Sequence, residues 1–402
     1  MSEFSQQTAR RTLLASLVIV GMGFTVLFPL LAPLGREMGL SEVQITGVIA
    51  ASSLTVFLMS PIWGRASDRY GRKRIMLLGL FGFTGGTVVF NLVLYAGLNG
   101  VAVGWALFAA LVVARVMHAA IMSATMPAAN AYMADISSVA TRTKAMGAAG
   151  AANNIGAIMG PAVAGLAVLT LLTPLWVMAA LALLNGLFVW RYLPEPPRAE
   201  ERAAPARLRY TDPRILPFVV VGVLMFSGFA LVQQTMGFRF QDALGLGTGE
   251  TAQVFGTAMM LAAACSLFAQ AVVVQRLELL PFTLLKLALP VLVVAFVMLA
   301  TAETRWLLTA GMMVQGFGMG LAGPGFMAGA SLSVSAREQG AVAGIAGSCG
   351  PLGFTIGPLI GGTLYQLSPT LPYAVAAVVY LILMAFMQWL GRRVQARPEP
   401  QD

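Results

Sequence analysis

Two side chains that can hold charge, Arg115 and His118, lie three residues apart inside a long apolar run. That spacing places them on one face of a helix. Charged groups within an apolar helix are costly and usually mark function. The guanidinium could hold an anionic group of a substrate, and His118, the single histidine, is the one embedded proton acceptor of ordinary basicity. The structural alternative is that Arg115 bonds backbone carbonyls and His118 is a satisfied core residue.

Amide side chains at similar depth could also hydrogen-bond a substrate, or could instead tie helices together. The candidates for substrate or proton binding are Asn154, Gln233, Gln234 and Gln315. All 16 acidic residues are predicted in loops, a linker or the termini, so no embedded carboxylate is expected to carry a proton.

Other chemistries are excluded by what the sequence lacks. Cys265 and Cys349 have no metal-ligand spacing, and a single histidine cannot build a multi-histidine site. No phosphate-binding G-x-x-x-x-G-K-[ST] motif and no nucleophile-base arrangement occur. We therefore expect no catalytic residues, no metal and no cofactor.

A charged motif, GRASDRYGRKR, follows the second apolar run. Its glycines could allow a tight turn and close helix approach. Asp68 could accept hydrogen bonds from helix amides or pair with an arginine, and Arg69 and Arg72 could pair with Asp135. The motif then acts as a conformational latch, whereas the simpler alternative is a loop that only sets topology. The predicted latch residues are Gly64, Asp68, Arg69, Gly71, Arg72 and Asp135.

An internal repeat relates the two halves of the chain at an offset of 197 residues. Glycines at these positions let helix backbones touch, and prolines can bend the helices, so the two segments could be pivots or could merely pack tightly. The same offset aligns Pro127 with Pro324 and His118 with Gln315. The predicted pivot residues are Gly156, Gly160, Pro161 and Gly165 in the first half and Gly353, Gly357, Pro358 and Gly362 in the second.

The composition sets the environment in which these residues act. Of 402 residues, 58% are hydrophobic and 10% are charged, where a soluble domain carries about 25% charged residues. A soluble globular protein is thereby excluded, and so are collagen-like and disordered chains. Basic residues in short blocks between apolar runs indicate membrane topology rather than nucleic-acid binding. Twelve runs are long enough to span a bilayer: Leu13–Leu34, Ile45–Trp63, Ile75–Leu98, Val103–Ala131, Ala145–Leu171, Leu175–Leu193, Ile215–Phe238, Ala252–Val274, Leu284–Ala300, Trp306–Val334, Ala341–Tyr365 and Tyr373–Leu390.

The distribution of Lys and Arg predicts orientation. With the N-terminus inside, 21 of the 25 basic residues fall in inner segments and 3 in outer ones, Arg36, Arg239 and Arg305. Both termini are therefore predicted to be cytoplasmic, and the first span is expected to be an uncleaved anchor. A Pro-rich charged segment, 194–214, is predicted to be a cytoplasmic linker between six-helix bundles at 1–193 and 215–402.

The charged motif resembles the G-x-x-x-D-R-x-G-R-[RK] loop of the major facilitator superfamily. The fifth span is similar to the G-x-x-x-G-P-x-x-G-G motif of that family's proton-linked drug exporters, with Ala164 replacing one glycine. Arg115 matches the arginine of the fourth-span motif R-x-x-Q-G, while His118 and Ala119 replace its Gln and Gly. The resemblance implies an all-α membrane protein of twelve transmembrane helices in two pseudo-symmetric six-helix bundles.

The resemblance also implies a secondary transporter working by alternating access, in which the latch closes the cytoplasmic side. The first hypothesis is proton-coupled efflux of a small amphipathic molecule, as in multidrug exporters. The alternative is export of an anionic metabolite such as a carboxylate siderophore, which the lone Arg115 and the missing embedded acids favour. An uptake symporter and a non-transporting membrane sensor are less favoured. We expect a monomer in the inner membrane whose partners are a small molecule, protons and lipid, with no nucleic acid.

Overall fold

The computed structural model describes residues 3–137, 141–196, 208–277, 279–335 and 338–395. Every regular element in these residues is a helix and none is a strand, which confirms the predicted all-α class. The predicted linker is described at both of its ends, but its centre, residues 197–207, lies outside the described residues.

The helices up to the linker correspond to the first six predicted spans. A short 3-10 segment, Gly165–Val168, continues the seventh helix. The helices are α1 Glu3–Thr25, α2 Phe28–Glu37, α3 Glu42–Tyr70, α4 Arg72–Leu98, α5 Gly104–Met122, α6 Thr125–Asp135, α7 Arg142–Ala164 and α8 Thr173–Tyr192.

The helices after the linker correspond to the other six spans. A π-helical segment, Ala269–Val274, extends the second of them. The helices are α9 Leu216–Leu244, α10 Thr248–Phe268, α11 Pro281–Thr301, α12 Arg305–Leu332, α13 Gln339–Leu367 and α14 Leu371–Gln395.

Two predicted spans are each divided into two helices near a proline. Pro29 lies in the first turn of α2 and Pro127 in the first turn of α6. Proline has no amide hydrogen, and its ring clashes with the carbonyl four residues earlier. Those earlier residues are Thr25, where α1 ends, and Ser123, which directly follows α5. The interruptions within the first and fourth spans therefore follow from the sequence.

Helix ends elsewhere carry ordinary local signals. Ser41 accepts a hydrogen bond from the amide of Gln44 while the Gln44 side chain accepts one from the Ser41 amide, a reciprocal cap that starts α3. Gly71 has φ 104° and separates α3 from α4 by a single residue. Gly245, at φ 62°, ends α9 in the left-handed region that favours glycine.

Length and hydropathy qualify 11 helical segments of the described residues as membrane spans. The remaining predicted span, α12, is 28 residues long but is not among them. It contains seven glycines and Gln315, which dilute its apolar content. Large apolar side chains such as Leu58, Leu184 and Leu267 are exposed on the surface of the protein, as lipid-facing side chains are. The chain is a multi-pass membrane protein.

Contacts between Cα atoms divide the chain into two compact units. The first contains Met1–Arg202 and Leu246–Met260, and the second contains Ala203–Gly245 and Leu261–Asp402. The beginning of α10, predicted in the second half, thus groups with the first unit. In the first unit, Tyr132, Met76 and Leu13 are fully buried in one apolar cluster built from α1, α4 and α6 to α8.

Candidate functional site

Arg115 and His118 form a buried pair on α5. The guanidinium Nη1 lies 2.8 Å from the imidazole Nδ1, and only 8% of Arg115 and 3% of His118 are exposed. The guanidinium carbon lies 5.6 Å from the centre of the Phe90 ring, and the imidazole lies 5.3 Å from the Phe83 ring. The two side chains therefore share one helix face, as their spacing predicts, and they contact each other directly.

The contact fixes the protonation pattern of the imidazole. Arginine can only donate, so Nδ1 of His118 must be the acceptor and must carry no proton. The proton of the neutral ring then lies on Nε2, which is 3.5 Å from the hydroxyl of Thr87. In this arrangement His118 orients Arg115 and does not itself hold a second proton.

A small cavity in the first unit is bounded by this pair. Its other walls come from α1 and the turn that follows it, from α4 and from α8, and they bring no acidic side chain into the lining. The cavity has a volume of about 10 Å³, which accommodates about one water molecule. The lining residues are Gly23, Val26, Leu27, Phe83, Thr87, Phe90, Arg115, His118, Leu175 and Met178.

The predicted amide ligands lie elsewhere. Gln233 and Gln234 are buried on α9 and Gln315 is buried on α12, all in the second unit. The amide nitrogens of Gln234 and Gln315 have no hydrogen-bond partner among the described residues. Asn154 is exposed on α7, and its role in substrate or proton binding stays a prediction. Its neighbour Asn153 is half-buried with an unpaired side-chain oxygen.

The charged motif is centred on Arg72. Its Nε lies 3.0 Å from a carboxylate oxygen of Asp135 and its Nη2 lies 2.5 Å from a carboxylate oxygen of Asp68. Nη1 donates to the hydroxyl of Ser67 at 2.7 Å, so one guanidinium joins the end of α3, the start of α4 and the end of α6. The predicted pairing of Arg72 with Asp135 is confirmed. Arg69 lies 5.3 Å from the Tyr70 ring.

The structure corrects the predicted shape of this motif. Helix α3 runs through to Tyr70, so Gly64 and Asp68 are helical rather than part of a loop. Gly71 alone makes the turn, and a Cβ added to Gly64 would meet no atom within 4 Å. The predicted close approach at Gly64 is therefore wrong.

Two residues of this region, Tyr132 and Glu195, make contacts that could not be predicted from sequence because their partners are distant along the chain. A Glu195 carboxylate oxygen accepts a hydrogen bond from the Lys73 amide at 3.3 Å, at the positive end of α4. The Tyr132 hydroxyl donates to the carbonyl of Pro194 at 2.5 Å. Both contacts attach the start of the predicted linker to the first unit.

Two glycines of the fifth span, Gly156 and Gly160, pack against α1. A Cβ on Gly156 would collide with the Val18 carbonyl, and one on Gly160 would lie 2.7 Å from the Met22 oxygen and 2.9 Å from the Val26 nitrogen. A residue larger than glycine therefore cannot occupy either position without moving a backbone.

The second unit repeats this contact between α13 and α9. A Cβ on Gly353 would lie 2.7 Å from the Ser227 nitrogen, and one on Gly357 would collide with the Ser227 carbonyl and lie 2.8 Å from the Leu231 nitrogen. Gly357 thus meets a backbone carbonyl and the amide four residues after it, and Gly160 in the first unit does the same. The predicted backbone contact is present at the matching glycines of both halves.

The remaining pivot residues differ between the halves. Gly165 begins the 3-10 segment after α7, and a Cβ there would meet no atom within 4 Å, so its prediction as a close-contact glycine is wrong. Its counterpart Gly362 is buried inside α13. Pro161 and Pro358 both lie within helices, but only α7 gives way to a 3-10 segment a few residues later.

The acids of the described spans lie within three residues of a helix end. Asp68 and Asp242 occupy the last turns of α3 and α9, rather than the loops predicted for them. No carboxylate of the described spans lies at mid-helix, as predicted.

Arg239 was predicted in an outer loop, yet it is buried in α9. Its guanidinium donates to the Ala302 carbonyl at 2.7 Å, next to the C-terminal end of α11.

Comparison with known proteins decides the family. The sequence model described as Major Facilitator Superfamily matches residues 13–303 and 287–402, which together cover nearly the whole chain. The chain belongs to the Major Facilitator Superfamily. It is therefore a membrane transporter of that superfamily, and the resemblance of its motifs is confirmed.

Some distant relatives within the Major Facilitator Superfamily match over nearly the full length of the chain. Multidrug resistance protein 1 of Bacillus subtilis is 27% identical, over 93% of this chain and 94% of its own. The class C tetracycline resistance protein of Escherichia coli is 27% identical, over 92% and 94%. A bacterial homologue of the human lysosomal transporter Spinster, solved in an inward-facing, occupied conformation, has a TM-score of 0.78 at 16% identity, over 100% of both chains. This last similarity supports the fold.

Proposed function

We propose that this protein is a secondary active exporter that moves a small amphipathic molecule out of the cell in exchange for protons. Full-length similarity to a multidrug resistance protein and a tetracycline resistance protein is the observation that carries this proposal. The absence of a phosphate-binding motif from the sequence agrees with a gradient, rather than nucleotide hydrolysis, as the energy source.

Alternating access is proposed as the transport cycle. Each half contains a matching pair of helices, α1 with α7 and α9 with α13, whose backbones approach at glycines that the internal repeat relates. Few side chains interdigitate at such contacts, so small shifts of one helix along the other meet little steric resistance. The matched pairs support a role for these helices as pivots.

The Arg72 network is proposed to act as a cytoplasmic latch. Arg72 is bonded to side chains at the ends of both α3 and α6, so its contacts hold three helix ends in register. A charge-assisted network of this kind has defined geometry and can break as a unit. The positive-inside distribution supports placing it, and both termini, on the cytoplasmic side of the inner membrane.

Export of an anionic metabolite, such as a carboxylate siderophore, is the second candidate. Arg115 favours it, because this cation is buried in the membrane region without an acidic partner among the described residues. The present cavity has no room for a carboxylate group, so α1, α4 or α8 would have to move before such a substrate reached Arg115.

Everted membrane vesicles separate the two candidates. The substrates are ethidium, which is an amphipathic cation, and a carboxylated fluorescein, which is an anion. Under an imposed proton gradient, the multidrug proposal expects ethidium uptake that a protonophore abolishes. The anion proposal expects fluorescein uptake that Arg115→Gln abolishes. If the gradient drives neither probe, proton-coupled export of these classes is contradicted.

The latch is tested in the same vesicles with a matched pair of variants. Arg72→Gln breaks the contacts with Asp68 and Asp135. Arg36→Gln breaks a comparable ion pair, 2.7 Å from Glu42, between the last turn of α2 and the first residue of α3. We expect Arg72→Gln to slow transport at unchanged membrane insertion, and Arg36→Gln to have little effect. Equal effects of the two variants would argue against a latch.

A further inference from the structure

The charge of Arg115 is not compensated in the cavity of the first unit. Nη1 is bonded to a neutral imidazole, and Nε has no hydrogen-bond partner among the described residues. The cavity lining contains no carboxylate. A buried cation that lacks a counter-charge is strongly disfavoured, so an anion at this position would be attracted.

The dimensions of the cavity restrict the ligand. Phe83, Phe90, Leu175 and Met178 supply apolar walls, and Thr87 adds one hydroxyl. Space for about one water molecule is too small for a carboxylate or phosphate, so a single-atom anion is the largest anion that the lining could admit by small side-chain shifts. The ligand class that matches the charge with the least expansion of the cavity is therefore a halide.

The Arg115–His118 contact links this anion to a proton. Nδ1 can accept from Arg115 only while it is unprotonated, and a protonated ring would place two cations 2.8 Å apart. An anion between the two side chains would replace the imidazole as the acceptor of Arg115. It would also compensate the charge of a protonated ring, whose Nδ1–H could then donate to the anion.

We propose that the cavity of the first unit binds a chloride-sized anion at Arg115, and that one proton from water is taken up by His118 when the anion binds. The groups that face the pair are Gly23 from α1, Val26 and Leu27 from the turn between α1 and α2, Phe83, Thr87 and Phe90 from α4, and Leu175 and Met178 from α8. None of them titrates, so His118 is the group that takes up the proton. The proposal concerns binding and holds for either transport candidate.

Linkage gives the expected size of the pH effect. If each bound anion brings one proton, the apparent affinity for chloride rises by up to about tenfold for each unit by which the pH falls. An anion held by Arg115 alone, with His118 neutral throughout, shows no such dependence. The slope of affinity against pH therefore reports the coupling directly.

The experiment uses the purified full-length protein in detergent, with chloride as the probe and gluconate replacing it at constant ionic strength. Thermal unfolding midpoints at pH 5.5, 6.5 and 7.5 give the apparent chloride affinity. A pH-sensitive dye in weakly buffered solution measures proton uptake when chloride is added. We expect saturable stabilisation by chloride, tighter at lower pH, and uptake of about one proton per protein.

Three variants make the test specific. Arg115→Gln is expected to lose the chloride effect, and His118→Gln, whose amide oxygen can still accept from Arg115, to keep chloride binding but lose its pH dependence and proton uptake. Arg239→Gln removes another buried arginine, one whose partners are the carbonyls of Ala300 and Ala302, and is expected to respond to chloride as the wild type does.

Two results would overturn the proposal without relying on a variant that fails to fold. One is a wild-type protein that chloride does not stabilise at any pH, which would mean that the cavity holds water only. The other is chloride binding with no proton uptake and no pH dependence. An equal chloride effect in Arg115→Gln would likewise place the anion elsewhere and contradict the assignment.

Discussion

Replacing Gly156 by alanine tests whether the close approach of α1 and α7 holds the first unit together. The added Cβ would collide with the Val18 carbonyl oxygen and would lie 2.8 Å from the carbonyl carbon and 3.0 Å from the Met22 nitrogen. Because carbon atoms pack at about 3.5–4.0 Å, the helices must separate by roughly 0.7–1.2 Å along the contact. These neighbours are backbone atoms, so no side-chain rotation can relieve the clash.

The magnitude follows from two opposing effects. Overpacking costs about 1–3 kcal/mol, whereas alanine gains about 0.5–1 kcal/mol over glycine inside a helix. The overpacking is the larger effect, and we expect a net loss of about 1–2 kcal/mol for Gly156→Ala. The matched control is Gly165→Ala, because Gly165 has φ −59° and open space where its Cβ would lie. We expect this control to be neutral or slightly stabilising.

The assay measures the midpoint of thermal unfolding in detergent, read as the fraction of protein that stays monodisperse after heating. Transport in vesicles is measured on the same variants, and we expect Gly156→Ala to slow it. In the second unit, Gly357→Ala should reproduce the loss of stability, since Gly357 meets the Ser227 carbonyl and the Leu231 amide. The same unfolding midpoint in Gly156→Ala and Gly165→Ala would contradict a stabilising role for the backbone contact between α1 and α7.

Three further perturbations test contacts elsewhere in the protein. Asp135→Asn should weaken the Arg72 network and raise the rate of hydrogen exchange at the end of α6; unchanged exchange would contradict the network. Ser16→Ala removes the 2.8 Å hydrogen bond to the buried Asn185 and should cost about 1 kcal/mol in denaturant unfolding, whereas no loss would show that the bond is not stabilising. The hydrogen bond from Arg214, followed by those from Ser335, lowers the pKa of Glu338 from 4.5 to about 2. Because the pKa is depressed, the stabilisation that Glu338 gives the folded protein is present above pH 4.5 and is lost as the pH falls toward 2. The difference in unfolding midpoint between the wild type and Glu338→Gln should therefore shrink over that range. A constant difference would contradict a stabilising contact between Glu338 and Arg214.

The helices could be predicted from sequence because the lipid environment leaves few alternatives for an apolar run. Each predicted span overlaps a helix, and the division of the first and fourth spans is consistent with Pro29 and Pro127. The wrong predictions concern residues of the same type whose backbone conformations differ, which the sequence cannot distinguish. Gly64 and Gly71 are the same residue type seven positions apart, but only Gly71 adopts a positive φ.

The candidate site was predictable in its members and only partly in its arrangement. Spacing placed Arg115 and His118 on one helix face, and the charges suggested that Arg72 meets Asp135. Spacing could not show that His118 accepts from Arg115, because this depends on side-chain rotamers and on the ring of Phe83. Nor could it identify Glu195 as the partner of the Lys73 amide, since tertiary structure alone brings those residues together.

Alternating access is tested most directly by distances between spin labels on the two halves. With Cys265 and Cys349 replaced, one label pair is placed at the exposed positions Tyr70 and Leu332, on the predicted inner side. A second pair is placed at Val101 and Trp306, exposed on the predicted outer side. We predict two distance populations for each pair. A change in pH or the addition of ethidium should lengthen the mean distance of one pair and shorten that of the other. A single distance for each pair, unchanged under all these conditions, would contradict alternating access.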